Sequence, residues 1–186
     1  MKTLKLMMIV PLMVLFMMSA AAKSQTIGLY LTVQDYLGHK LSYTGSSKIK
    51  VSGLFGSNTV VITQDGKKQV LPKSEIFGYS EDGADYRFFN NEEYHIVSAK
   101  GLFIYTHTTL VQQGKGPKPT EQYFFSASLA DPIRSLTITN VLIVYANHPD
   151  FTYAVEGFFK SDNDLAAYDT FNKQFKLAFL YAQKVN

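Results

Sequence analysis

The chain has no cysteine and no tryptophan, and its six methionines all fall within the first 18 residues. Without cysteine there is no disulfide framework, no thiolate metal site, no cysteine nucleophile and no lipid attached through an N-terminal cysteine. The fold has to hold together by its core alone. Arginine occurs only as Arg87 and Arg134. Eighteen Lys and Arg against 15 Asp and Glu give a net charge of +3. This balance lacks the clustered cations a phosphate backbone demands, so no nucleic-acid partner is expected.

What the chain has in abundance is aromatic: 14 Phe and 12 Tyr. Large rings fill a core that lacks sulfur, and tyrosine hydroxyls meet water at its edge. The first 22 residues supply the other strong signal. Lys2 and Lys5 precede an uncharged run from Leu6 to Met18, and Ser19-Ala20-Ala21-Ala22 follows with small side chains. This is the pattern of a secretory signal, and the run is too short to cross a bilayer as a helix. Cleavage near Ala22 leaves a mature chain of about 164 residues, one domain in size, exported to a bacterial periplasm or beyond, without a transmembrane anchor. Losing Lys2 and Lys5 brings the charge to +1.

Short segments at regular spacing describe an antiparallel meander over the β-rich part, 23–131. Thr32 to Gly38 opens it with one or two helical turns, bounded by a capping residue, an acid three positions on and a glycine. Strands are expected at Lys40–Tyr43 and Lys48–Val51, at Val60–Thr63 and Lys68–Leu71 around Asp65-Gly66, and at Glu75–Tyr79 and Tyr86–Phe89 around Glu81-Asp82-Gly83-Ala84. Tyr94–Ser98 and Leu102–Thr109 flank Ala99-Lys100-Gly101. Residues 112–119 read as a mobile hairpin tip, since glycines and prolines interrupt a ladder. Gln122–Ala127 then returns as a strand. These strands are about half the roughly 9–11 residues of a membrane barrel, which is therefore rejected.

From Pro132 the pattern turns helical. Asn140–Ala146 is β-branched like a strand, yet Thr139 as cap and Asn147 as stop suit a short helix. His148-Pro149-Asp150 starts a helix with Phe151, Val155, Phe158 and Phe159 on one face. Ser161 to Asp164 starts another of up to about 20 residues, with Leu165, Phe171, Phe175 and Phe179 on its apolar stripe. The fold expected is α+β: a curved sheet or partly open barrel, from Lys40 to Ala127, with C-terminal helices packed on it.

The residues Lys73-Ser74-Glu75-Ile76-Phe77-Gly78-Tyr79, Gly83, Tyr86-Arg87, Tyr94-His95-Ile96 and Ile104-Tyr105 resemble a pattern in a family of small secreted proteins of unknown function found in Bacteroidetes. The resemblance runs from about Tyr30 to Tyr181, with Asp35-Tyr36-Leu37 near its start and Tyr168-Asp169 near its end. It brings no known chemistry. It implies that Thr139 to Ala146 is helical.

No motif supplies a reaction. The four histidines, His39, His95, His107 and His148, have no helical zinc spacing. His95 and His107 share a sheet face only if the Ala99-Lys100-Gly101 turn takes three residues; a two-residue turn puts them on opposite faces. No metal site and no cofactor is expected. Each carboxylate cluster is explained by a turn or a cap, and no Gly-x-Ser-x-Gly elbow occurs. Arg87 pairs with Glu75 or another neighbouring acid, or else contacts a ligand. Arg87, Phe77, Tyr79, Phe88 and Tyr105 are the candidate ligand-binding residues. The function expected is a non-enzymatic binding or cell-envelope accessory module. A carrier of small apolar ligands and a hydrolase acting on envelope material are the alternatives.

Overall fold

The computed structural model describes residues 27–45, 47–51 and 58–185. The expected signal peptide and its cleavage site lie outside the described residues. The chain is α+β. In order it forms β1 (Ile27–Tyr30), α1 (Val33–Leu37), β2 (Lys48–Val51), β3 (Thr59–Gln64), β4 (Lys67–Pro72), β5 (Gly78–Glu81), β6 (Ala84–Phe89), β7 (Glu92–Ser98), β8 (Phe103–Gln113) and β9 (Gly116–Ser126). Then come β10 (Arg134–Ser135), α2 (Ile138–Val144), α3 (Pro149–Phe158), β11 (Tyr168–Asp169), β12 (Gln174–Phe175) and α4 (Lys176–Lys184).

Seven strands make one open antiparallel sheet in the order β1-β5-β6-β7-β8-β9-β10, while β2-β3-β4 form a separate sheet of three. Tight turns drive this meander. Asp65-Gly66 and Asp82-Gly83 each take positive φ at both positions, the geometry that lets a two-residue hairpin follow the strand twist.

Alternation sorts the side chains of the large sheet onto two faces. Cross-strand partners Leu29, Tyr79, Tyr86, His95, Thr106 and Tyr123 line one face, with Phe88, Ile104 and Phe125 beside them. This first face has two covers. The three-stranded sheet packs Val60 and Ile62 against Leu29, Tyr79 and Phe88. The C-terminal helices pack Val141, Phe151, Val155 and Leu177 against Ile104 and Phe125. The second face carries Arg87, Tyr94, Ile96, Tyr105, Phe124 and Ser126, and is partly covered by Tyr36 and Leu129.

Several expectations are corrected. Lys40–Tyr43 is no strand; it makes a single bridge, Ser42 to Leu29, and β2 pairs with β3. Positive φ at Tyr43 and Gly45 turns the chain out of the extended conformation there. The span from Lys40 to Ala127 therefore makes two sheets, and the large one gains β1 and the two-residue β10. Glu75 lies in a 3-10 turn, Lys73–Glu75, so β5 starts only at Gly78.

Residues 112–119 are paired, not a loose tip. β8 and β9 stay in register from Phe103↔Ser126 to Gln113↔Gly116, with Leu110 opposite Pro119 and Gln112 opposite Pro117. Counting back from the two-residue turn Gly114-Lys115, both prolines fall in non-hydrogen-bonded pairs, where the missing N–H would point away from β8. At 11 residues each, these strands also exceed the expected length, though the sheet remains open.

The helix expected from Asp162 to about Gln183 is broken. A 3-10 turn over Asp162–Ala166 is followed by the β11–β12 hairpin and the nine-residue α4. The Asp169 carboxylate accepts from the backbone N–H groups of Phe171 and Asn172, offering the chain a turn in place of a helix. Leu165 and Phe175 are buried, but Phe171 is 91% and Phe179 42% exposed. Phe158, assigned to the buried face of α3, is likewise exposed, whereas Phe151, Val155 and Phe159 are buried. The helix over 139–146 is present as α2, capped by Thr137 and not by Thr139.

Candidate functional site

Of the five candidate residues, the sheet brings three together and separates two. Arg87, Phe77 and Tyr105 meet on the second face, where the guanidinium lies 5.9 Å from the Phe77 ring and 5.8 Å from that of Tyr105. Tyr79 and Phe88 sit on the first face, packed under the three-stranded sheet. Gly78 of the aromatic-Gly-Tyr pattern is opposite Arg87, and a Cβ there would press on the Tyr86 carbonyl. Only glycine fits.

Arg87 is 5% exposed, and among the described residues no carboxylate pairs with it, so the expected ion pair with Glu75 or a neighbour does not form. Its Nη1 donates to Tyr105 Oη at 3.0 Å and Ser126 Oγ at 3.4 Å, and its Nη2 to the Asp131 carbonyl at 2.8 Å. Ser126 Oγ gives its own proton to the Ser128 carbonyl, so Tyr105 is the donor in the 2.9 Å contact between the two hydroxyls. This chain ties β6, β8 and β9 to the segment after β9.

The first face holds a second polar network that no sequence pattern announces. Lys73, 2% exposed, donates to Glu93 Oε1 at 2.8 Å, and Tyr79 Oη donates to Glu93 Oε2 at 3.0 Å. Lys73 also lies over the Phe88 ring. Lysine and glutamate are ordinary surface residues in a strand pattern, and only the fold closes the three-stranded sheet over them. Burial, with the Glu93 charge second, pushes the Tyr79 hydroxyl far above its ordinary pKa. Burial also raises Tyr145, and raises Tyr36 to about 12. A phenol whose folded pKa is raised contributes stability that is complete below the unfolded value and is lost as pH climbs through the folded one. The denaturant midpoint is expected to hold steady up to about pH 10 and to fall steeply by about pH 12. Urea titrations across that window check this, and an unchanged midpoint at the upper end defeats it.

Between its two covers the first face is open. There a groove of about 690 Å³ is lined by Tyr86, Glu92, Glu93, His95, Thr106, His107, Thr108, Thr109, Leu110, Pro119 and Glu121. Its floor continues the cross-strand row: Tyr79 stacks on Tyr86 at 4.6 Å, and the Tyr86 and His95 rings lie 5.0 Å apart. One wall forms because β7 and β8 part company. Their pairing ends at His95↔Thr106, and the His107 imidazole wedges in beyond it, its Nδ1 2.8 Å from the Glu93 carbonyl oxygen. A carbonyl only accepts, so Nδ1 carries the proton.

The register also decides the histidine pair. His95 stands opposite Thr106, so the His107 side chain belongs to the other face, beside Tyr94 at 4.9 Å. Among the described residues no three His, Asp or Glu converge as metal ligands would. No helix among them is long and apolar enough to cross a membrane.

Comparison with protein-family models, curated proteins and solved structures finds no match for this chain.

Proposed function

We propose that this protein is an exported, non-catalytic binding module of the cell envelope or its surroundings, and that the first-face groove is its binding surface. The observation that carries the reading is the contrast between a packed aromatic interior and an open polar groove. Phe77, Tyr79, Phe88 and Tyr105 are 9%, 5%, 7% and 0% exposed and touch one another or their covers. A carrier would hold such rings around an enclosed apolar space. Here the concave surface presents carboxylates, the His95 imidazole and hydroxyls instead, which favours a polar partner over a lipid. The resemblance to secreted proteins of Bacteroidetes and the signal-like start support the location.

Two measurements test the reading. Protein recovered from its native host is expected to begin at or near Lys23 by intact mass, with no lipid and no stoichiometric small molecule in native mass spectrometry. A retained N-terminus or a bound hydrophobe would reverse the location or revive the carrier. A photo-crosslinker at Glu121, on the groove, is expected to capture a partner in the envelope that the same group at Tyr153, on the solvent side of α3, does not. Equal capture at both positions defeats the groove.

A further inference from the structure

The backbone of β8 is unevenly used. From Phe103 to Gln113 it pairs with β9 throughout, but on its other side the ladder with β7 ends at Thr106. In an antiparallel ladder successive residues turn their N–H and C=O to alternate sides. Counting from the hydrogen-bonded pair Gln113↔Gly116 that closes a two-residue turn, Thr108, Leu110 and Gln112 turn theirs away from β9, toward the side β7 has left. Among the described residues none of the three finds another backbone partner. Beyond His107 the protein thus offers a run of outward-turned ladder groups beside the groove, and Leu110 and Gln112 lie past the position where β7 ends at Glu92.

Several other edges are guarded. Along the opposite side of the same arm, Pro117 and Pro119 occupy the positions whose N–H would point outward, which blocks pairing there. β1 is bridged by Ser42, which exchanges both backbone bonds with Leu29 at 2.9 and 2.8 Å. β4 carries Lys67 and Lys68, and β10 is two residues long. β8 has neither proline nor lysine.

We propose that the free side of β8 from Thr108 to Gln112 is a strand-addition site for an extended, cationic polypeptide segment. The proposal rests on reading the groove as the binding surface, and names what fills it. The charge is set by the lining, which holds Glu92, Glu93 and Glu121 and no lysine or arginine. Lys73 answers Glu93 at 2.8 Å and the His107 ring lies 3.8 Å from Glu92, leaving Glu121 for the partner. The pattern is set by the pleat: an added residue beside Thr108 has Glu121 across β8 on the same face, within reach of a long cationic side chain, and one two places along meets Leu110, 70% exposed. A segment alternating a cation and an aliphatic residue on one face matches both, with main-chain bonds supplying affinity and side chains specificity.

The test uses an acetylated, amidated peptide whose groove-facing positions alternate lysine and valine, with threonine between them. Binding is expected to slow hydrogen exchange at the Thr108, Leu110 and Gln112 amides and to weaken as salt rises. Methylating the alternate peptide nitrogens is expected to lower affinity at least about tenfold, and so is replacing lysine by glutamate. The Leu110→Pro variant removes an outward N–H without touching the β9 ladder; it is expected to keep its melting temperature and lose affinity about tenfold, while Leu110→Ala loses less. If the proline variant fails to fold, the methylated peptide decides alone. Equal binding of the methylated peptide, or absence of protection on β8 at saturation, overturns the proposal. A protein already dimeric through protected β8 amides overturns it in favour of a second copy. Perturbation of His95 and Thr106 without protection of β8 removes strand addition and leaves the groove standing; silence at both, with equal crosslinking at Glu121 and Tyr153, removes both.

Discussion

Replacing Phe175 by alanine is expected to cost about 3–5 kcal/mol, while the same change at Phe171 costs less than about 0.5 kcal/mol. On a continuous helix these residues share one stripe and would lose comparable amounts. The structure places them otherwise. Phe175 is 7% exposed, on β12, with its ring 6.1 Å from Tyr123 and 5.3 Å from Tyr168. Phe171 stands almost bare at the turn of the same hairpin. Truncating Phe175 leaves a void at the junction of the helical cover and the sheet, where Leu165 and Leu177 have nothing to move in with. Denaturant melts of the two variants decide it, and equal losses would restore the helix.

The second large effect is expected at Lys73. Lys73→Met keeps the stem's volume beside Phe88 but removes the cation that answers Glu93. Breaking a buried pair from one side costs about 3–5 kcal/mol because the remaining charge stays buried. Glu93 keeps a side-chain exposure of 21%, so the lower end, about 3 kcal/mol, is expected. Lys73→Met combined with Glu93→Gln is expected to recover at least half of that, since the amide carries no charge and still accepts from Tyr79. If the double variant is no more stable than the single one, the loss comes from packing and the pair contributes little.

These residues also show where sequence reading reaches and where it stops. The hairpins at Asp65-Gly66 and Asp82-Gly83 were legible because their signal is local: two residues that tolerate positive φ. Thr32 with Asp35 forms the capping box its spacing announces. What long-range packing decides was hidden. Nothing near β1 says that it will find β5, and nothing in Lys73 says that a second sheet will bury it. Pro117 and Pro119 misled because a proline rule for central strands was applied to an edge. In the helical part, the three- and four-residue spacing of Leu165, Phe171, Phe175 and Phe179 was real, but Asp169 and Asn172 supply a local turn that outcompetes the helix. The groove itself was invisible for a similar reason. It exists because two covers, far apart in sequence, leave a gap over strands whose own pattern is unremarkable, and because one bulged register separates His95 from His107.

The pairing of β1 with β5 bears on the order of events as the chain folds. Tyr30 and its partner Gly78 are 48 positions apart, whereas each hairpin from β3 to β9 closes over a few residues. Loop closure costs more as the loop lengthens, though only logarithmically, and contacts of low sequence separation form first. The three-stranded sheet lies wholly within the β1–β5 interval. Once its hairpins have formed, the span β1 must bridge behaves as a shorter and stiffer one. β1, the first described strand to be synthesised, is thus expected to be among the last to dock. It should then show late protection in pulse-labelled refolding, and substitutions in it should change the unfolding rate more than the folding rate.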